Sequence, residues 1–257
     1  MRQTCNVTAM TAASAGSDSL DLRPLTARSV VLSLLLGAHP PQLPVRDLVR
    51  AGDYFAIAEP TLRVALSRMV AAGDLLRTDA TYRLSERLLD RQRRQDASVD
   101  PQTRAWRGGW EIAAVTATGR AAADRAELRG ALIALRLAEL REGCWLRPAN
   151  LLRRYPAHVA DAVTLLDGRP RSDAAELAAI LWDLTAWSAT GAGLLTEISA
   201  PHPARRFAAA AAIVRHLLID PVLPSALLPP GWPGEALRDA YASYRAELID
   251  FTGPSRH

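Results

Sequence analysis

The sequence predicts a mostly helical α+β protein in three parts, and three observations carry that prediction. Three helical segments followed by a two-stranded hairpin fill residues 23–100, the order of a winged helix-turn-helix. A strand–helix–strand run with short links occupies residues 101–171 and reads as a small α+β layer. From Asp173 onward the spacing is helical, so residues 172–257 form a C-terminal helical domain. Residues 1–22, rich in Ala, Ser and Thr, read as a disordered tail ahead of the first domain.

The first part is organised around residues 59–73. Pro60 falls in the first turn of a helix, where a missing N–H costs nothing, and Gly73 falls just past its end. At about 100° per residue, Leu62, Ala65, Leu66, Met69 and Gly73 share one side, and Arg63, Val64, Ser67 and Arg68 share the other. A short helix with a packed side and an Arg/Ser side has the shape of a DNA recognition helix. Before it, Thr26 can cap a helix running through Val30 to Leu36 and closing at Gly37. Pro40, Pro41 and Pro44 mark a loop, and residues 44–52 give a second helix with Val45, Leu48 and Val49 inward. After it, residues 75–78 and 82–85 flank a turn at Asp79 and pair as the wing. Residues 86–104 are polar and arginine-rich, a helix tail plus linker.

The central part opens at Trp106-Arg-Gly-Gly-Trp110 and places strands over 111–116, 143–148 and 160–166, with a helix over 121–140. The C-terminal part reads as helices over 173–190, 204–218 and 234–250, with a proline-rich loop before the last.

Composition narrows the function. Apolar residues make up 49% of the chain and charged residues 23%, the balance of a folded globular protein. There is no apolar run long enough to span a membrane, no secretory leader pattern, and two widely separated cysteines; a cytoplasmic protein is expected. The net charge of +4 lies wholly in residues 1–107, which hold 15 Arg against 11 acids. A basic surface confined to one module is what a phosphate backbone requires. The chain has no lysine, a usage bias that inflates arginine everywhere.

Double-stranded DNA is therefore the expected partner, with Thr61, Arg63, Val64, Ser67 and Arg68 on the recognition helix and Arg77 and Arg83 flanking the wing. An arginine can fork to a guanine edge or clamp a phosphate, a short hydroxyl can serve either, and Val64 can meet a thymine methyl. The competing structural role is an ion pair from Arg63 or Arg68 to Asp47 or Asp53. The five histidines have no metal-ligand spacing, and no nucleophile elbow, P-loop or dinucleotide fingerprint appears; no catalytic residue, metal or cofactor is assigned. His216 and Asp220 stand four apart and read as a helix-end cap.

Several motifs together resemble the PaaX family of phenylacetic acid degradation repressors. They are Leu62-Arg-Val-Ala-Leu-Ser-Arg-Met69, Trp106-x-Gly-x-Trp110 with Arg125, Leu128 and Arg129 after it, and Gly143-Cys-Trp-Leu-Arg-Pro148. Trp182-Asp-Leu184, Asp220-Pro-Val-Leu-Pro224, Leu227-Leu-Pro229 and Trp232-Pro-Gly234 complete the series. The resemblance runs in order from about Leu25 to Tyr244. It implies a ferredoxin-like central domain, a homodimer on operator DNA, and release by an aryl- or acyl-CoA effector such as phenylacetyl-CoA. The cations and rings nearest the family motifs, Trp145, Arg147, Trp182, Arg215 and His216, are the candidate effector contacts. The chain departs from the family pattern at Arg136-Leu137, at Gly191 and Leu194 where aromatics are usual, and at the acidic wing turn. Those departures keep open an alternative, a family member turned small-molecule-binding protein or enzyme with weakened DNA binding.

Overall fold

Thr26 begins the first helix by closing a reciprocal cap: its Oγ1 accepts the Ser29 amide at 3.1 Å and Ser29 Oγ accepts the Thr26 amide at 2.8 Å. The computed structural model describes residues 20, 22–23, 25–117, 119 and 121–252, so most of the expected tail lies outside the described residues. Leu20 and Leu22 pack against the core.

Helix α1 (Ala27–Gly37) is followed by strand β1 (Gln42–Pro44), helix α2 (Val45–Tyr54) and helix α3 (Glu59–Ala71). Strands β2 (Leu75–Thr78) and β3 (Thr81–Leu84) then form the hairpin. The three strands make an antiparallel sheet in the order β1-β3-β2. This is the winged helix-turn-helix order. It includes a strand that the sequence disguised as loop, because three prolines crowd the segment leading into it. On α3, Leu62, Leu66 and Met69 are buried, as the spacing requires. Gly73 follows the helix with a φ of +70°, the left-handed conformation glycine adopts at no cost. Asp74 comes next and is buried, and its carboxylate pairs with Arg28 of α1 at 2.7 Å and with Arg87 beyond the wing. One acid thus ties both ends of the module together.

The polar run after the wing is one helix, α4 (Glu86–Val99). Its exposed face carries Arg87, Arg91, Arg93 and Arg94, whereas Leu88, Gln92, Gln95 and Ser98 are buried.

The central part holds β4 (Trp110–Val115), α5 (Ala122–Ala134), β5 (Ala138–Arg141), β6 (Cys144–Pro148), α6 (Ala157–Ala160) and β7 (Val163–Gly168). Its strands lie antiparallel in the order β5-β6-β4-β7, the ferredoxin-like arrangement. Two sequence readings need correction here. The helix over 121–140 ends at Ala134, because Arg136 takes a φ of +61° and reverses the chain into β5. The third strand starts at Val163 rather than 160, behind the short α6.

The C-terminal part contains α7 (Ala174–Leu181), α8 (Leu184–Ile198), α9 (Pro203–Leu218) and α10 (Gly234–Thr252). The helix expected over 173–190 is two helices. Trp182 is extended, and Asp183 Oδ1 caps α8 by accepting the Ala186 amide at 2.9 Å.

The first and third parts share one hydrophobic core, in which Val30, Leu62 and Leu75 join Phe207, Ile213 and Leu237. Phe55 meets Phe207 edge-on at 5.0 Å between ring centres. The central domain keeps its own core around Leu132, Trp145 and Val159, and a third cluster around Trp110, Leu146 and Leu223 fastens it to the C-terminal part.

Arg147 is the polar half of that fastening. Fully buried, it donates to the Arg136 and Pro148 carbonyls, to Asn150 Oδ1 at 2.9 Å and to the Val222 carbonyl at 3.1 Å. Its Nε lies 3.3 Å from Glu111 Oε1. Burial pulls the guanidinium pKa down, nearby Arg153 adds to the fall, and Glu111 opposes it. Asp220, at the start of the Asp-Pro-Val-Leu-Pro segment, accepts the Val222 amide at 2.8 Å and the Arg238 guanidinium at 2.5 Å. Removing Arg147 takes a buried donor from the Arg136, Pro148 and Val222 carbonyls and from Asn150 Oδ1. Arg147→Ala is expected to cost about 3 kcal/mol or more, read as a lower urea midpoint at unchanged cooperativity.

Candidate nucleic-acid interface and effector cavity

All five recognition-helix candidates stand on one open face of α3: Thr61, Arg63, Val64, Ser67 and Arg68 are exposed, and Val64 is 49% exposed despite being apolar. Arg63 Nε donates to Glu59 one turn earlier at 2.7 Å, which aligns its stem along the helix. Ser67 Oγ donates to the Arg63 carbonyl at 3.0 Å and keeps its lone pairs outward. Arg68 has no hydrogen bond or ion pair among the described residues. The brace expected from Asp47 is used otherwise, since that buried acid faces Arg46 at 3.6 Å and Arg50 at 3.9 Å.

The two wing arginines part company. Cross-strand partners share a face of a hairpin, and Arg77 is paired with Tyr82 whereas Arg83 is paired with Leu76. Tyr82 and Arg83 are adjacent, so Arg77 and Arg83 leave opposite faces. Arg77 Nε donates to the Asp79 carbonyl at 2.9 Å and its guanidinium lies 5.9 Å from the ring centre of buried Tyr82. Asp79 itself sits at a φ of +53° with an exposed side chain at the tip.

The five effector candidates are not brought together. Trp145 is buried in the central core under Arg129, and Arg147 is spent on the domain junction. Trp182 packs on the junction cluster. His216 is buried against Trp187 with ring centres 4.2 Å apart, and Trp232 stacks on the other partner at the same distance. His216 Nε2 donates to the Trp187 carbonyl at 2.9 Å, so the expected pairing with Asp220 gives way to a helix-to-helix bond. The stack also explains Gly191: a Cβ there would lie 2.8 Å from Pro233 Cγ. The space beside Gly191 is filled by Pro233 of the Trp-Pro-Gly segment.

Of the five, Arg215 alone reaches a cavity, a space of about 580 Å³ between α1, α4, α9 and α10. Phe207, Ala208, Ala211, Val214 and Leu218 give it an apolar wall, and Arg23, Arg28, Arg91, Arg94 and Arg245 join Arg215 at its edges. The sequence signal for it is the alanine run 208–212, whose small side chains leave α9 short of its neighbours. Among the described residues no helix is long and apolar enough to cross a membrane, and there is no cluster of three metal-ligating side chains.

Comparison with known proteins places this architecture. Three family models match in succession: a PaaX-like protein model over residues 26–88, the PaaX protein central Cas2-like domain over 103–173, and the PaaX-like protein C-terminal domain over 182–253. The chain belongs to the PaaX family, whose members are transcriptional regulators. A solved structure described as uncharacterized protein Rv0674 from Mycobacterium tuberculosis is similar at 49% identity and a TM-score of 0.78, covering 88% of this chain and 97% of that one. Among curated proteins, nothing matches.

His216 supplies a test of the stack. Burial is the largest influence on its pKa and lowers it, against smaller upward effects of the Trp187 carbonyl and Asp220. The unfolded chain binds this proton near the ordinary value of about 6.5, and the folded protein binds it at lower pH. The resulting stability is fully present above that value and is lost as pH falls below it. Denaturant titrations from about pH 7 to about pH 5.5 should show wild type losing stability faster than His216→Gln.

Proposed function

We propose that the protein is a ligand-responsive transcriptional repressor of the PaaX type, acting in the cytoplasm as a homodimer on double-stranded operator DNA. An aryl- or acyl-CoA effector would release it. The observation that carries this reading is the open face of α3, where two arginines, two hydroxyls and a valine are left to solvent together. An unpaired arginine or a half-exposed valine alone is ordinary on a surface helix; what supports the reading is that all five groups share one face of the third helix of a winged-helix order. In a major groove the same face has partners for every group. Thr61, Ser67 and Val64 would meet phosphates, base edges or thymine methyls, Arg63 and Arg68 would supply the charge, and one of Arg77 and Arg83 would follow the flanking backbone.

The hairpin geometry limits the wing's share, because its two arginines face apart and Asp79 occupies the tip. Most of the binding energy then falls to α3. Arg68→Ala, which breaks no contact within the fold, should weaken operator affinity by about tenfold or more in a mobility shift on the DNA upstream of the gene. Its log–log salt slope should drop by about 0.9 if the lost contact is to phosphate and stay unchanged if it is to a base edge. Arg63→Ala should cost less when combined with Glu59→Ala than alone, because the pair orients the side chain. A wild-type protein with no salt-dependent DNA binding would instead favour the second reading, a small-molecule-binding protein or enzyme of this family.

A further inference from the structure

The central sheet has two edges, and they are finished differently. Edge β5 is blunted: a bulge between Glu139 and Arg141 breaks its register, Glu139 is paired with Arg129, and α7 lies beside it. Edge β7 keeps a regular register and carries no charge before Asp167. Its neighbours are β4 along one side and the short α6 at its start. Thr164, Leu165, Leu166 and Asp167 are all exposed, Leu165 by 45% and Leu166 by 51%. The two leucines leave opposite faces, Leu165 on the α5 side with Val163 and Leu166 on the side of Ile112. The main chain is open as well. The Thr116 amide donates to the Ala162 carbonyl at 3.1 Å. Alternation along the ladder from that bond turns the N–H and C=O of Val163, Leu165 and Asp167 away from β4. A regular apolar strand with a free edge is a template for another strand.

We infer that β7 is an interface for a second copy of this chain, paired antiparallel with its own equivalent about a twofold axis normal to the sheet. The inference rests on the homodimer reading above and gives it a surface. Such an axis keeps like faces together, so Leu165 meets Leu165 and Val163 meets Asp167, with about six main-chain hydrogen bonds between the copies. Leu166 then faces Thr164. Carried one step beyond each end of the strand, the same register sets Asp161, which ends α6, against Arg169 of the second copy, once on each side of the axis. Neither side chain has an ion pair among the described residues. Shifting the register by two residues sets Asp167 against Asp161 or against Leu165, so charge selects this pairing. The two four-stranded sheets then run on as one. Both C-terminal parts, which pack on the Ile112 face, lie on the same side of it, together with the winged helices that share their core.

Sedimentation velocity on the full-length protein without DNA, from about 1 to about 100 µM, tests the surface. Wild type should reach a dimer. Leu165→Pro removes an outward N–H, which an edge strand tolerates, and should shift the protein to monomer with unchanged far-UV circular dichroism. Asp161→Arg should raise the dimer dissociation constant by about tenfold, and adding Arg169→Asp should restore it. A merely structural role for either residue gives no restoration. A monomeric wild type overturns the interface and the homodimer reading together, whereas a dimer that neither Leu165→Pro nor Asp161→Arg loosens overturns the interface alone. Loss of the dimer in Leu165→Pro with no effect of Asp161→Arg keeps the edge and overturns the register. If Leu165→Pro does not fold, the charge exchange decides.

Discussion

Two buried glutamines on one face of α4 decide how the N-terminal module is joined to the rest. Gln92 Nε2 donates to the Leu36 carbonyl at 3.0 Å and to the Ala38 carbonyl at 2.9 Å, closing the open end of α1. One turn on, Gln95 reaches Tyr241 of α10. Both are buried, and a buried amide is expensive unless satisfied, so the register of α4 against α1 and α10 is tightly specified. The winged helix is therefore built into the C-terminal helices rather than tethered to them. The shared core that Phe55 and Phe207 complete follows from that register.

The central domain is held by a different kind of bond. Arg147 would be costly to bury alone, and its cost is offset by four acceptors and Glu111, two of whose partners come from the turn at Arg136 and the loop at Val222. Val222 has a φ of +50° and Arg136 one of +61°, so both carbonyls are aimed by backbone that turns sharply. The family motifs around Pro148 and Asp220 are thereby two sides of one joint. The junction thus couples an apolar cluster around Trp110, Leu146 and Leu223 to the directional bonds of Arg147, while the central sheet keeps its own core on its other face.

Much of this was legible in the sequence because it is local. The cap at Thr26, the spacing of Leu62, Leu66 and Met69, and the glycine at 73 each depend on residues within one turn. What escaped depends on partners far along the chain. Strand β5 was hidden because the leucines leading to Leu140 keep helical spacing, and the turn that ends the helix is made by an arginine in a glycine-like conformation. Strand β1 exists only because β3 comes alongside it. Trp145, Arg147 and His216 looked like ligand groups because rings and cations do look so in a sequence. Each instead meets a protein group at least one element away, a fact no spacing can display.

The same contrast separates the arginines. A lysine-free chain puts arginine wherever a cation is needed, so arginine number alone carries little meaning. Its pairing does. Arg63, Arg87, Arg93, Arg129, Arg205 and Arg206 each meet an acid, most of them on exposed surface where such pairs stabilise weakly and serve mainly to balance charge. The chain has 27 acids to distribute among 31 arginines; among the described residues the cavity wall holds six arginines and no Asp or Glu, with Arg28 paired to Asp74, and α3 presents Arg68 with no acid. Usage bias would spread an imbalance evenly. An arginine without an acid on the outward face of α3 fits the anionic partner proposed for that helix.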